Sequence, residues 1–149
     1  MPYVNDEIRD QGLDWATANG TRVDICSTDP GSTYATVAAN TLGNDTVTVG
    51  AAEDGATEGR RVVIPSITAG TVTASDTATH WALTNGSDTV LASGALSAPV
   101  AVTTPGTFEL SAVSITIGAS EASAGTGALL LETGDYLLLE TGDKLLLEA

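Results

Sequence analysis

The sequence predicts an all-β fold: an antiparallel β-sandwich or jelly-roll-like domain with a short N-terminal helix and a C-terminal β-repeat of period eight. Three observations predict this class. Short strand-like segments are separated by turn signals at intervals of roughly 8–12 residues, as in sandwiches and barrels. Helical spacing occurs only near the start of the chain. Residues 129–149 repeat one octapeptide pattern.

The composition bounds the domain organisation. The chain has 149 residues, 42% of them hydrophobic, and a net charge of −14, which fits one main domain. We divide it into an N-terminal helical arm (residues 1–20), a β-domain (residues 21–120) and a Leu-rich tail (residues 121–149). Because phosphates repel such an acidic chain, we expect no binding to nucleic acid.

The residue counts also bear on metals, disulfides and membranes. One cysteine cannot form an internal disulfide, and one cysteine with one histidine cannot assemble a Cys/His zinc site. We therefore expect no metal and no cofactor. The first 20 residues resemble no signal peptide, and no apolar run reaches the about 20 residues that cross a bilayer. We expect a soluble protein that starts near Met1 and has no membrane partner.

The N-terminal helix is predicted from a capping residue and a periodic face. Asn5 is a suitable N-cap, and two acidic residues follow it in the first turn. Ile8, Gly12 and Trp15 have i, i+4, i+7 spacing, which places them on one side of a helix. The pair Asn19-Gly20 is the predicted end.

The remaining pattern is that of strands. Residues 21–27 predict a half-buried strand with Val23, Ile25 and Ser27 on one face and Arg22, Asp24 and Cys26 on the other. Later strand-like segments are YATVAANTL, DTVTVGAA, RRVVIPSITAGTVTA, THWALT, TVLASGAL, PVAVT and TFELSAVSITIG. We place turns at Gly43-Asn44-Asp45, Asp54-Gly55, Ala69-Gly70, Asn85-Gly86, Ser93-Gly94 and Pro105-Gly106.

Two connections have more specific expectations. Asn85-Gly86 predicts a hairpin with a type I′ turn, because this pair supplies positive φ at both central positions. Residues 42–60 are rich in Gly, Ala, Asp and Glu and predict a mobile surface loop.

The C-terminal repeat consists of Leu-Leu-Leu-Glu-Thr-Gly-Asp units. A glycine in each unit costs a helix about 1 kcal/mol, whereas short strands with tight turns fit the period. Three consecutive leucines make both faces of a strand apolar. The second face is covered either by the same chain or by another subunit, and the sequence leaves both possibilities open. The candidate oligomer-interface residues are Leu129, Leu130, Leu131, Tyr136, Leu137, Leu138, Leu139, Leu145, Leu146 and Leu147.

The sequence predicts no enzyme, since no catalytic, cofactor-binding or metal-binding residues are indicated. His80 is the only imidazole, and no nucleophile motif accompanies it. Alternation places His80, Ala82 and Thr84 on one face of their strand and Trp81 and Leu83 on the other. We expect Trp81 and Leu83 in the core and His80 at a surface or interface. Cys26 is expected to be buried and inert. The repeat also carries regularly spaced carboxylates, and the sequence leaves calcium binding by them open: Glu132, Asp135, Glu140 and Asp143. The support is weak, because β-rolls that bind calcium contain more glycine and fewer leucines than this repeat.

Two parts of the chain carry a family resemblance. They are TRVDICSTDP, residues 21–30, and residues 60–118, in which GTVTA, ATHWAL and LASGALS occur in order. In order and spacing these segments resemble small structural proteins of tailed bacteriophages, over most of residues 5–118. The Leu-Leu-Leu-Glu repeats are similar to the ends of various phage virion proteins.

The resemblance implies a non-enzymatic virion component, similar to head decoration (cement) proteins. Such a protein would form a homo-oligomer, a trimer by preference, on the capsid surface. It would bind the major capsid protein or another virion protein and stabilise the head shell, with the N-terminal helix or the leucine repeat as its clamping arm. The alternative is a tail-tip or fibre module that binds a host surface receptor through residues 43–59.

Overall fold

A computed structural model describes residues 3–4, 12–55, 60–117, 128–130 and 136–138. The chain divides into two units, Met1–Ala119 and Ser120–Ala149. The described residues are mostly β, with a curled antiparallel sheet and two short helices. This confirms the all-β prediction.

The first unit contains two helices and ten strands among its described residues. The helices are α1 (Leu13–Asn19) and α2 (Tyr34–Asn40). The strands are β1 (Tyr3–Val4), β2 (Arg22–Cys26), β3 (Thr41–Thr46), β4 (Glu53–Asp54), β5 (Arg60–Ile64), β6 (Ile67–Val72), β7 (Asp76–Thr84), β8 (Val90–Val102), β9 (Gly106–Leu110) and β10 (Val113–Ile117). They form a seven-stranded sheet, β1-β8-β7-β2-β3-β6-β9, and a three-stranded sheet, β10-β5-β4.

The main core is built from both sheets and from α1. Val62 and Ile64 of β5 and Ile115 of β10 belong to the same apolar cluster as Trp81 and Leu83 of β7. The buried side of α1, Leu13 and Ala16, joins this cluster. The predicted helix end at Asn19-Gly20 is confirmed. The helix begins with Gly12 as its N-cap, whereas the predicted N-cap Asn5 lies outside the described residues.

Strand β2 lies at the centre of the large sheet, between β7 and β3. Val23 and Ile25 on one face belong to the main core, and Cys26 on the other face packs in a smaller cluster with Val37 of α2. The predicted half-buried strand is therefore buried on both faces. The reason is that α2 covers the second face. Strand alternation alone does not reveal that a helix packs there.

Helix α2 corrects the prediction of a strand at YATVAAN. Alanine has the highest helix propensity, and this segment has three alanines, all exposed. Val37 is buried and Tyr34 is partly buried one helical turn before it, so both pack on the sheet. The Tyr34 hydroxyl donates a hydrogen bond to the Gly86 carbonyl oxygen at 2.9 Å. This contact fixes the helix to the β7–β8 connection.

The β7–β8 hairpin confirms the hairpin predicted at Asn85-Gly86, but its turn is not of type I′. Gly86 has a φ of 79°, and no described residue other than glycine has a positive φ. The Asn85 Oδ1 atom instead accepts hydrogen bonds from the backbone N–H groups of Ser87, Asp88 and Thr89, each at 3.0 Å. A side-chain cap thus replaces the second left-handed residue.

The predicted mobile loop over residues 42–60 is wrong for its described part, 42–55 and 60. Leu42, Val47 and Val49 are buried in the main core. Strands β3 and β4 occupy further residues of this segment, and β4 pairs with β5. Two surface ion pairs, Glu53–Arg61 and Asp54–Arg60, accompany that pairing. Because small and polar residues dominate this segment, its composition did not indicate that Leu42, Val47 and Val49 are core residues.

The centre of the sheet contains a buried carboxylate, that of Asp24 in β2. Its Oδ1 atom accepts hydrogen bonds from Arg22 Nε at 3.1 Å and Thr41 Oγ1 at 3.0 Å, and its Oδ2 from Thr84 Oγ1 at 3.3 Å. Thr41 begins β3 and Thr84 ends β7, so one carboxylate ties together three adjacent strands. A buried charge is tolerated only with such partners.

We predict that Asp24→Ala lowers the free energy of unfolding by about 2–3 kcal/mol, because the Thr41 and Thr84 hydroxyls and the Arg22 guanidinium all lose hydrogen bonds to this buried carboxylate. Urea unfolding followed by tryptophan fluorescence measures this. The matched control is Asp54→Ala, which also breaks an Arg–Asp pair but at a side chain that is 92% exposed, and which is expected to leave stability almost unchanged. Equal losses in the two variants would contradict the prediction.

Candidate functional site

The first unit has a cleft of about 660 Å³ that lies between three segments. They are the C-terminal half of β8 (residues 95–102, here called the outer half of β8), strand β9 and the start of β10. Its floor belongs to the main core and consists of Ile25, Ala78, Trp81, Val102 and Phe108. Its walls are partly buried and consist of Leu96, Leu110 and Val113. Sequence analysis did not predict this cleft, because the curl that brings β8 towards β9 leaves no sign in residue alternation.

Two glycines make room for the aromatic rings of the floor. Gly94 in β8 lies opposite Trp81 in β7, and Gly70 in β6 lies opposite Phe108 in β9. A Cβ atom on Gly94 would lie 3.1 Å from Trp81 Nε1, and one on Gly70 would overlap the Phe108 ring. Each ring therefore lies against the bare backbone of the adjacent strand.

These contacts explain why three predicted turns are wrong. Ala69-Gly70 and Ser93-Gly94 lie inside β6 and β8, where glycine faces an aromatic ring. Gly43-Asn44-Asp45 lies inside β3, where a Cβ atom on Gly43 would be 2.5 Å from the Thr71 carbonyl oxygen. Glycine here signals a close approach between strands, not a change of chain direction.

Strand edges border the cleft. Strand β1 pairs with β8 at Ser93 and Ala92, so among the described residues the outer half of β8 pairs with β7 alone. Strand β9 ends the large sheet and pairs with β6. The free side of a strand presents N–H and C=O groups that can pair with another chain.

The rim of the cleft is polar and weakly acidic. Among the described residues that line it, Glu109 alone is charged, and it is exposed. Hydroxyl groups complete the polar part of the lining: Ser97, Thr103, Thr107, Ser111 and Ser114. An apolar floor with a hydroxylated rim is suited to binding an amphipathic segment of another molecule.

His80 lies outside the lining of this cleft, half-buried in β7. The Thr79 hydroxyl donates to the Ser27 carbonyl oxygen at 2.7 Å, so His80 Nδ1, 2.8 Å from Thr79 Oγ1, donates to that hydroxyl. Trp81 and Leu83 are in the core, as predicted. Ala82 and Thr84, which share the face of His80, are buried.

Cys26 is buried, as predicted. Burial, together with the nearby carboxylate of Asp24, raises the pKa of the Cys26 thiol to about 12. The thiol therefore stays protonated at neutral pH, which disfavours nucleophilic chemistry.

The second unit contains two described strands, β11 (Ala128–Leu130) and β12 (Tyr136–Leu138). They pair antiparallel, with Leu129 opposite Leu137 and Leu130 opposite Tyr136. Leu138 also lies in β12, whereas the other interface candidates lie outside the described residues: Leu131, Leu139, Leu145, Leu146 and Leu147. The complete repeat and its role as an oligomer interface stay predictions.

No protein-family model, curated protein or solved structure matches the chain. The resemblance to phage structural proteins therefore stays a prediction that depends on the quoted segments. Within the described ranges, no helix is long and apolar enough to cross a membrane. The same ranges contain no group of three His, Cys, Asp or Glu side chains that could hold a metal ion.

We predict that Gly70→Ala destabilises the protein by about 1–3 kcal/mol, because the new methyl group overlaps the Phe108 ring. Urea unfolding gives the free energy, and near-ultraviolet circular dichroism reports the ring environment. Gly50→Ala is the control, since its Cβ atom would lie 3.4 Å from the nearest atom, the Val63 carbonyl oxygen. A Gly70→Ala variant as stable as Gly50→Ala would show that the ring does not lie against the glycine.

We also predict that Cys26 of the folded protein reacts far more slowly with an aromatic disulfide reagent at pH 8 than Cys26 in urea. A pKa of about 12 instead of 9.0 lowers the thiolate fraction about a thousandfold. Because the native state keeps a proton that the unfolded chain releases, this group lowers stability as pH rises from 9 towards 12. Equal reaction rates with and without urea would contradict the assignment.

Proposed function

We propose that the protein is a non-enzymatic structural protein of a tailed-phage virion, a decoration (cement) protein on the capsid surface. The observation that carries the proposal is the apolar cleft between two strand edges, a feature suited to holding a segment of another protein. The proposed partner is the major capsid protein or another virion protein.

The character of the cleft supports attachment. Its floor presents parts of Trp81 and Phe108, and aromatic side chains are enriched where proteins bind one another. The Val100 side chain, which lines the cleft, is apolar and 51% exposed. An exposed apolar surface beside strand edges that have no partner among the described residues is typical of a protein-binding site.

The charge of the chain supports a role on a particle surface. A net charge of −14 keeps such a protein soluble and repels nucleic acid. The same charge favours encounter with a basic surface on the partner. These properties suit a protein that attaches to the outside of a shell.

Two further parts of the proposal concern the architecture of the first unit and the self-association of the chain. Two sheets that share one apolar cluster support a distorted β-sandwich as the architecture of the first unit. Self-association, a trimer by preference, would use the leucine triplets of residues 129–147, because three consecutive leucines in a strand would make both of its faces apolar.

The receptor-binding alternative has less support. It assigns recognition to residues 43–59, but Val47 and Val49 of that segment are buried and Glu53 and Asp54 are paired with arginines. These contacts leave fewer groups of that segment to bind a receptor.

We predict that gold-labelled antibody marks the heads of intact particles of the source phage, because a decoration protein covers the shell. Electron microscopy of negatively stained particles measures this. Label at the tail or its tip would contradict decoration and favour the receptor-binding alternative. Particles without label would contradict a virion protein of either kind.

We further predict that a truncation ending at Ala128 is monomeric whereas the full chain is oligomeric, because the truncation removes every leucine triplet of the repeat. Size-exclusion chromatography with light scattering measures both masses. The same oligomer in both proteins would show that the interface lies elsewhere.

A further inference from the structure

The outer half of β8 presents only a short regular edge to the cleft. Val100 lies opposite Ala78 and Ala95 lies opposite His80, so residues 96–99 bulge opposite Thr79. Pro99 within the bulge has no N–H to donate. Bulges and prolines on an edge prevent pairing along its full length. Residues 100–102 are regular and, among the described residues, have a strand on one side only.

The cleft has room for a short extended chain. A strand residue takes about 3.3 Å along its strand, about 4.8 Å to the next strand and about 10 Å between packed sheets, roughly 160 Å³ in all. The cleft volume of about 660 Å³ therefore accommodates about four extended residues. A segment of four residues is one residue longer than the regular edge at residues 100–102, with which it would pair.

Charge distinguishes a foreign segment from a second copy of the chain. The exposed Glu109 is the charged group of the described lining. A second copy would approach it with 19 acidic and only 5 basic residues. Like charges brought together at an interface oppose binding, whereas a lysine or arginine would be attracted.

We propose that the cleft binds one extended segment of a partner protein, with about four residues of alternating apolar character, paired with residues 100–102 of β8 and carrying a Lys or Arg against Glu109. The inference rests on the attachment role proposed for the cleft and adds the conformation and chemistry of the segment that it receives. In such strand addition, main-chain hydrogen bonds supply affinity and alternate side chains supply specificity.

Selection of the full-length protein against a randomised heptapeptide display library tests the chemistry. Enriched peptides are expected to have Val, Ile, Leu or Thr at alternate positions and to contain Lys or Arg. Glu109→Lys is expected to weaken these peptides at least about tenfold and to enrich acidic peptides instead. The matched control is Asp14→Lys, the same type of charge reversal at an exposed position on α1, which is expected to keep the original selection.

Amide hydrogen exchange with one enriched synthetic peptide tests the conformation. Strand addition slows exchange at alternate amides of residues 100–103 at least about tenfold. Two results overturn the inference. One is unchanged amide exchange at residues 100–103 when the peptide is bound. The other is a set of enriched peptides that lacks alternating apolar residues and is the same for the Glu109→Lys variant. With antibody-labelled particle heads, either result leaves the proposed function standing. Peptides that bind as expected while particles stay unlabelled contradict the proposed function and support the inference.

Discussion

The large sheet depends on a central strand that is enclosed on every side. Strand β2 has a neighbour on each edge and apolar packing on each face, so its one carboxylate, Asp24, must be satisfied within the protein. Arg22, Thr41 and Thr84 satisfy it. Because these partners belong to three adjacent strands, the same contacts fix the positions of β3 and β7 relative to β2. Helix α2 covers the second face of β2, where the Cys26 thiol is buried among apolar side chains.

The cleft follows from how the sheet is packed away from that centre. Gly70 and Gly94 allow Phe108 and Trp81 to lie flat against neighbouring strands, and these rings form part of the floor. The bulge at residues 96–99 and the free side of β9 border the opening. The chain has one phenylalanine and two tryptophans, and two of these three rings line this cleft.

Function is proposed from this surface and from charge. The cleft combines an apolar floor, a hydroxylated rim and strand edges that pair with no strand in the described part of the chain, all of which suit binding to a protein segment. The acidic composition adds a preference for basic partners. In the proposed role as a decoration protein, the cleft would be the attachment site and the leucine repeat would be the oligomer contact.

Local signals in the sequence were enough to predict the all-β class, the end of α1, the β7–β8 hairpin and the burial of Cys26, Trp81 and Leu83. These signals are strand alternation and the pairs Asn19-Gly20 and Asn85-Gly86. Three features depend on tertiary packing instead: YATVAAN is a helix, Gly43, Gly70 and Gly94 lie inside strands, and residues 42–49 supply core side chains. The reason is that these outcomes depend on what packs opposite each residue. A glycine that faces an aromatic ring on the adjacent strand gives the same local sequence signal as a glycine in a turn. The cleft likewise depends on strands that are distant in sequence and approach each other through the curl of the sheet.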